Sequence, residues 1–396
     1  MNNVQPEWNI ESEFETIRPY FDHEINSALQ RITEVPEFNV ILDFIFPGQD
    51  KSVIIDNLTK TDSIKRFQKT FMHPLVYSII NKTSAGLSIS GFDKLIPGTP
   101  YLFVANHRDI VLDSAILQVV LIDEGHETSE ITFGSNLMIN QFIIDLGKVN
   151  RMFRVTREGN QKELLRNSQL LSAYIRNTIT QKHTSVWIAQ RGGRTKDGND
   201  LTETGLLKML RMSGACDFTA SFRELNIVPL VVSYEYETCC TAKVRELMAL
   251  SKQQAYIKAP GEDFKSIIDG ITQQKGRIHL AACTPVNEFL HETESCKSNN
   301  EKISAITGFI NNQIYRNYKL WPFNFIASDQ LNNTRHFIQH YTHADLEQFN
   351  SYKKAELKTP HNTNLHEKLL LNIYANPVVN AIRAGVPYSN QICSAE

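Results

Sequence analysis

The segment VANHRDIVLDSA, residues 104–115, places an asparagine, a histidine, an arginine and two aspartates directly behind an apolar run. Histidine is the side chain that most readily takes up and releases a proton near neutral pH, so His107 is a candidate general base. A carboxylate beside it can accept the second ring N–H, fix the tautomer and stabilise the imidazolium that forms on proton abstraction. Two aspartates compete for that place. Five residues separate Asp113 from His107, and one separates Asp109 from it. In a continuous helix, residues six apart lie about 120° out of alignment, so Asp113 needs a turn in the intervening chain. A lone histidine is equally compatible with a solvated side chain in a capped turn.

Three later segments add to it. NRMFRVTRE (150–158) carries Arg151, Arg154 and Arg157, and arginine suits bidentate phosphate contacts. VWIAQRGGRTKDG (186–198) sets Gly192 and Gly193 between Arg191 and Arg194, with Lys196 beyond. Glycines there let backbone amides and basic side chains converge on an anion. The spacing is not that of a P-loop. IVPLVVSYE (227–235) is strand-like, with Pro229 pointing to an edge or a strand start and Glu235 at its end. Singly, each reads as well as an edge strand, a surface turn or a core strand.

The elements that must carry these residues show in the hydrophobic pattern. Residues 1–85 read as helical, with apolar spacings of three and four in HEINSALQRI and SIKRFQKTFMHPLVYSII. From Ser84 onward, strand candidates LSISGF, YLFVA, MFRVT, SVWIAQ, NIVPLVVSYE and GRIHLAACTPV alternate with polar loops and helices. In the helix KELLRNSQLLSAYIRNTI, Leu164, Leu171, Ile175 and Ile179 are expected on one buried face. The alternation predicts an α/β fold: a layered mixed sheet with flanking helices over 86–290, preceded by a helical accessory region (1–85) and followed by a helical C-terminal region (291–396). In such sheets ligands bind where strands end, which is where His107, Arg157 and the two-glycine loop fall.

The chain has 396 residues and a formal net charge of −2, so no global basic surplus points to nucleic acid. Six cysteines are scattered without a C-x-x-C pair and are read as reduced thiols; no metal is expected. MNNVQPEWNIESEFE has neither a basic n-region nor an apolar h-region, and no apolar run reaches 18 residues. A cytoplasmic protein is expected, meeting any lipid from the cytoplasmic face of the membrane through the helical N-terminal region or the stretch 131–147.

The order and spacing of the four segments resembles the glycerol-3-phosphate and 1-acylglycerol-3-phosphate acyltransferase family, over about 88–240. The resemblance implies that His107 is the general base, with Asp113 or Asp109 as its partner. It implies further that Arg157, Gly193, Arg194, Lys196, Pro229 and Glu235 contribute to substrate binding. It also implies a fatty acyl group moved directly from acyl-CoA or an acyl carrier protein to a glycerol-phosphate hydroxyl at a membrane surface, with no permanently bound cofactor. Two positions depart from the family pattern. The family has four residues between histidine and aspartate where Asp113 has five. It often has a glutamate before the glycine of the third segment, where this chain has Arg191-Gly192. An acyl-thioester hydrolase, a lyso-lipid acyltransferase with another acceptor and a non-catalytic lipid-binding module are the rival readings. No G-x-S-x-G elbow is present for a serine hydrolase.

Overall fold

The computed structural model describes residues 10–253, 256–358 and 364–388, so Cys393 and the first nine residues lie outside it. Seven strands form one sheet: β1 (Leu87–Ser90), β2 (Leu102–Ala105), β3 (Glu130–Gly134), β4 (Met152–Val155), β5 (Val186–Ala189), β6 (Ile227–Tyr234) and β7 (Ile278–Ala282). Their spatial order is β1-β7-β6-β2-β5-β3-β4. All neighbours are parallel except β6 and β7, which makes the sheet mixed.

Strand β2 lies near the middle, and all of its residues are buried. Such two-sided burial explains its unbroken apolar sequence. Leu102 and Val104 face one hydrophobic cluster, with Tyr174, Ile175 and Ile310. Phe103 and Ala105 face the other, with Leu117, Val120 and Leu280. Each fully buried side chain of Leu, Phe or Val size contributes roughly 1.5–3 kcal/mol, so the strand that ends at Ala105 is firmly held.

The order of strands in sequence holds two surprises. Strand β3 was not anticipated, because its first residue, Glu130, breaks the apolar pattern. Glu130 is nevertheless buried, accepting a hydrogen bond from Tyr174 (2.7 Å) and an ion pair from Lys182 (3.3 Å). Pro229 sits in a central strand rather than at an edge. It pairs with Val104 of β2 and precedes the first β6–β7 pair, Leu230↔Ala282, so its missing N–H falls outside the antiparallel ladder.

The helix Gln161–Thr180 buries Leu170, Tyr174, Ile175 and Ile179. Of the other two expected on that face, Leu171 is half-buried against the same cluster and Leu164, in the first turn, is exposed. Before the sheet, the helices Asp22–Glu34, Pro36–Ile45, Lys51–Thr59 and His73–Thr83 surround a separate cluster that includes Leu29, Phe38, Leu58 and Phe71. Asp145 anchors this layer to the rest through Arg31 (2.8 Å) and Tyr20 (2.6 Å). After the sheet come the helices Asn299–Asn317, Pro322–Asn332, His343–Glu356 and Asn364–Arg383. No described helix is long and apolar enough to cross a membrane.

Candidate active site

The chain leaves β2 at Asn106, whose carboxamide behaves as a further peptide unit. It donates to the carbonyl of Val232 (3.0 Å) and accepts from the Val232 N–H (2.8 Å). This carries the β2–β6 pairing past the strand end and aims the next residue, His107, out of the sheet. The helix Leu112–Asp123 starts five residues later. The non-helical stretch between supplies the turn that the His107–Asp113 spacing requires.

His107 Nδ1 lies 2.9 Å from Oδ2 of Asp113, and the histidine side chain is 14% exposed. The same oxygen accepts the backbone N–H groups of Arg108 (2.6 Å) and Asp109 (2.9 Å), while Oδ1 accepts the hydroxyl of Tyr234 (2.9 Å). Four donors therefore converge on one buried carboxylate. With Nδ1 donating to Asp113, the lone pair of His107 is on Nε2, where a base needs it. The edge of the imidazole packs against Trp187 of β5, with ring centroids 5.6 Å apart. Burial, and after it the charge on Asp113, raise Tyr234 well above the usual phenol range and keep it a donor.

Asp109 is placed otherwise. Its Oδ1 caps the next helix by accepting the N–H groups of Val111 and Leu112, both at 3.0 Å. Its Oδ2 is buried with no protein partner. Burial, with the negative charge of Asp113 next, pushes the Asp109 carboxyl up. Of the two aspartates, Asp113 is the one bonded to His107.

The Gly-Gly-Arg loop is tied back to the histidine. Thr195 N–H donates to the carbonyl of His107 (2.7 Å), and Gln190 N–H to that of Ala105 (2.7 Å). Gly193 adopts φ 75°, a conformation that favours glycine. A Cβ at Gly192 would sit 3.6 Å from Nη1 of Arg157 and 3.9 Å from Glu203. That brings Arg157, two residues past the end of β4, onto the loop. The Gly192 N–H goes to Glu203 (3.3 Å). This carboxylate, eleven residues on, stands beside the position where the family glutamate is missing. Arg194 is buried with Nη1 unpartnered, as are Gln190 Nε2 and Thr195 Oγ1. Buried polar atoms without partners are uncommon, and their concentration at one strand end marks a place where another polar group would be held.

Three expected binding residues sit differently. Lys196 is paired with Glu246 at 3.0 Å. Glu235 accepts from the backbone and guanidinium of Arg277, at 2.9 and 2.5 Å. Pro229 is a strand residue three positions before Val232, the partner of Asn106. Tyr234, one residue ahead of Glu235, is the β6 side chain that reaches the dyad; strand alternation puts the two on opposite faces.

Arg108 points away from the site into a fully buried charge cluster. Its guanidinium binds Asp200 (2.6 Å) and Glu237 (3.0 Å), and Lys243 pairs with Glu237. Lys243 also donates to the Arg108 carbonyl (2.7 Å). The helix Asn364–Arg383 braces this side: Asn376 donates to the carbonyl of Asp197 (2.7 Å), Asn380 to Asn199 (3.1 Å), and the Tyr374 hydroxyl accepts the Glu237 N–H (2.8 Å).

Residues 86–233 match the model of the family described as Acyltransferase. Over these residues the chain is similar to acyltransferase domains. The match runs from the start of β1 to within one residue of the end of β6, and so contains His107, Asp113 and the whole Gly-Gly-Arg loop. Among solved structures, the chain is similar to a 1-acyl-sn-glycerophosphate acyltransferase, PlsC, from Thermotoga maritima. The identity is 13% and the TM-score 0.36, over 72% of this chain and 91% of that one. No curated protein matches the chain.

Proposed function

We propose that the protein transfers a fatty acyl group from an acyl thioester to a hydroxyl of glycerol 3-phosphate or 1-acylglycerol 3-phosphate, with His107 as general base. The observation that carries this reading is the contact between His107 and Asp113 inside the matched domain. Nε2 of His107 takes the proton of the acceptor hydroxyl as its oxygen attacks the thioester carbonyl. The C–O bond forms, the tetrahedral oxyanion collapses, and the thiolate leaves and is protonated. Asp113 stabilises the imidazolium meanwhile. No serine or cysteine nucleophile is needed.

Arg157 and Arg194 are the cations best placed for the acceptor phosphate: one lies on the loop beside Gly192, the other has a buried N–H without a partner. Lys196 would have to leave Glu246 to join them. Gly192 donates to Glu203, so the oxyanion donor on this loop is better sought at Gly193. The donor is acyl-CoA or acyl carrier protein, and the protein works at the cytoplasmic face of a membrane as a peripheral enzyme. One labelled acyl-CoA offered with glycerol 3-phosphate, with 1-acylglycerol 3-phosphate and with water alone tests the reading. Ester product supports it, and release of free fatty acid with both acceptors present identifies a hydrolase instead.

A further inference from the structure

The Gly-Gly-Arg loop continues to Asp200, and its second half rests on a helix from the far end of the chain. Residues 373–380 of the helix Asn364–Arg383 read IYANPVVN. Ile373, Asn376, Pro377 and Asn380 are spaced by three and four, which puts them on one face. Proline has no N–H, so the carbonyl of Ile373, four residues before Pro377, is left without its intrahelical donor. The loop backbone sits against that oxygen: a Cβ on Gly198 would lie 2.1 Å from it. Gly198 also adopts φ 78°, so conformation and close approach both call for glycine. On either side of this contact the helix donates a hydrogen bond to the loop, from Asn376 to the carbonyl of Asp197 (2.7 Å) and from Asn380 to Oδ1 of Asn199 (3.1 Å).

Packing alone does not ask for these residues. Asparagine and proline are poor helix formers, and Asn380 is buried, where a helix that only covered a core would carry an apolar side chain. Both carboxamides instead satisfy acceptors of the loop. The loop passes the restraint on towards the base. The carbonyl of Gly198 accepts from the guanidinium of Arg108 (3.3 Å), and the N–H of Thr195 donates to the carbonyl of His107 (2.7 Å). Arg194, with its buried and unpartnered N–H, leaves the chain three residues before Asp197, so the stretch that carries this cation is held between His107 on one side and the helix on the other.

We propose that Asn376 and Asn380 are positioning residues of the proposed active site, holding residues 194–200 in the shape that presents Arg194 to the acceptor phosphate. The inference rests on the acyl transfer proposed above. It makes the C-terminal helical region a working part of the site, although that region lies outside the matched residues 86–233. The helix sets the loop and not the dyad, because His107 is bonded to Asp113 and the turn between them folds on Asp113 itself.

The test is steady-state kinetics on the full chain with Asn376→Leu and Asn380→Leu combined. Losing two neutral hydrogen bonds should raise the KM for glycerol 3-phosphate at least about fivefold. The KM for acyl-CoA should hold, and so should the pH at which the rate is half-maximal, since the dyad is untouched. Asn376→Asp keeps the size of the side chain and turns its donor into an acceptor, so it should move the same KM in the same direction. Ile382→Ala, an exposed position on the same helix, should behave as the wild type does. A purely structural role would lower kcat and leave the acceptor KM alone, and that result overturns the proposal. Hydrogen exchange of the unliganded proteins gives a second reading that needs no turnover. Peptides covering 191–200 should exchange at least about fivefold faster in the variants, with the N-terminal helices unchanged. Unchanged exchange in the loop overturns the proposal, as does faster exchange throughout the chain in both variants. Absence of ester formation by the wild type would count against the proposed reaction, and hydrogen exchange would still decide the hold of the helix on the loop.

Discussion

Oδ2 of Asp113 lies 2.9 Å from Nδ1 of His107 and also accepts the backbone N–H groups of Arg108 and Asp109. The carboxylate that orients the base thus also folds the turn that presents it. Asp113→Asn can offer an N–H to Nδ1 and so favours the tautomer with Nε2 protonated. Transfer should fall by about 10²–10⁴-fold. Asp109→Asn keeps a side-chain oxygen for the helix cap and resembles the neutral form towards which burial pushes Asp109. Its transfer rate should stay within about threefold of wild type, the scatter of a conserved cap. Steady-state rates of the two purified variants check this, and equal losses would contradict the assignment.

Tyr234→Phe removes one of the four donors to Asp113 without changing shape. A hydrogen bond to a charged group contributes about 1.5–3 kcal/mol, so kcat should drop by roughly ten- to a hundredfold. The KM for acyl thioester should hardly move, because the hydroxyl acts through Asp113. Glu235→Gln, one residue along, loosens the pair with Arg277 and should leave kcat unchanged.

Much of this site was legible because it is local. The apolar run of β2, the histidine at its end and the paired glycines after β5 all read directly from adjacent residues. What was hidden depends on partners far apart in the chain. Asp200, Glu237 and Lys243 stand 92, 129 and 135 residues from Arg108, and no spacing rule connects them. Glu130 could be read as strand only with Tyr174 and Lys182 in view. Glu235 looked more suited to chemistry than Tyr234, because sequence shows side-chain type and not which face of β6 meets the dyad. Pro229 read as an edge or a strand start, because sequence does not show that β7 pairs with β6 only from Leu230 onward.

The buried charges around Arg108 make a strong stability prediction. Arg108→Met leaves Asp200 and Glu237 against a single remaining cation, Lys243. Breaking such a pair from one side costs about 3–5 kcal/mol. Urea denaturation should show the midpoint lowered by that free energy divided by the slope m, with the slope itself preserved.

Lys275 predicts a pH dependence. Its ammonium is buried against Thr83 and the carbonyl of Gln273, and burial lowers its pKa from 10.5 to about 8. Between about pH 8 and 10.5 the unfolded chain therefore holds this proton and the folded chain does not, so its contribution raises stability with pH across that window. Unfolding midpoints at pH 7.5 and 9.5, compared with those of Lys275→Met, should show the rise in the wild type only.

The most direct test is His107→Ala assayed with labelled acyl-CoA and glycerol 3-phosphate or its 1-acyl derivative. Lipid chromatography should show ester formed by the wild type and a loss of at least about 10²-fold in the variant, with the fold intact by circular dichroism. Wild-type transfer by the His107→Ala protein would contradict the proposed role of His107.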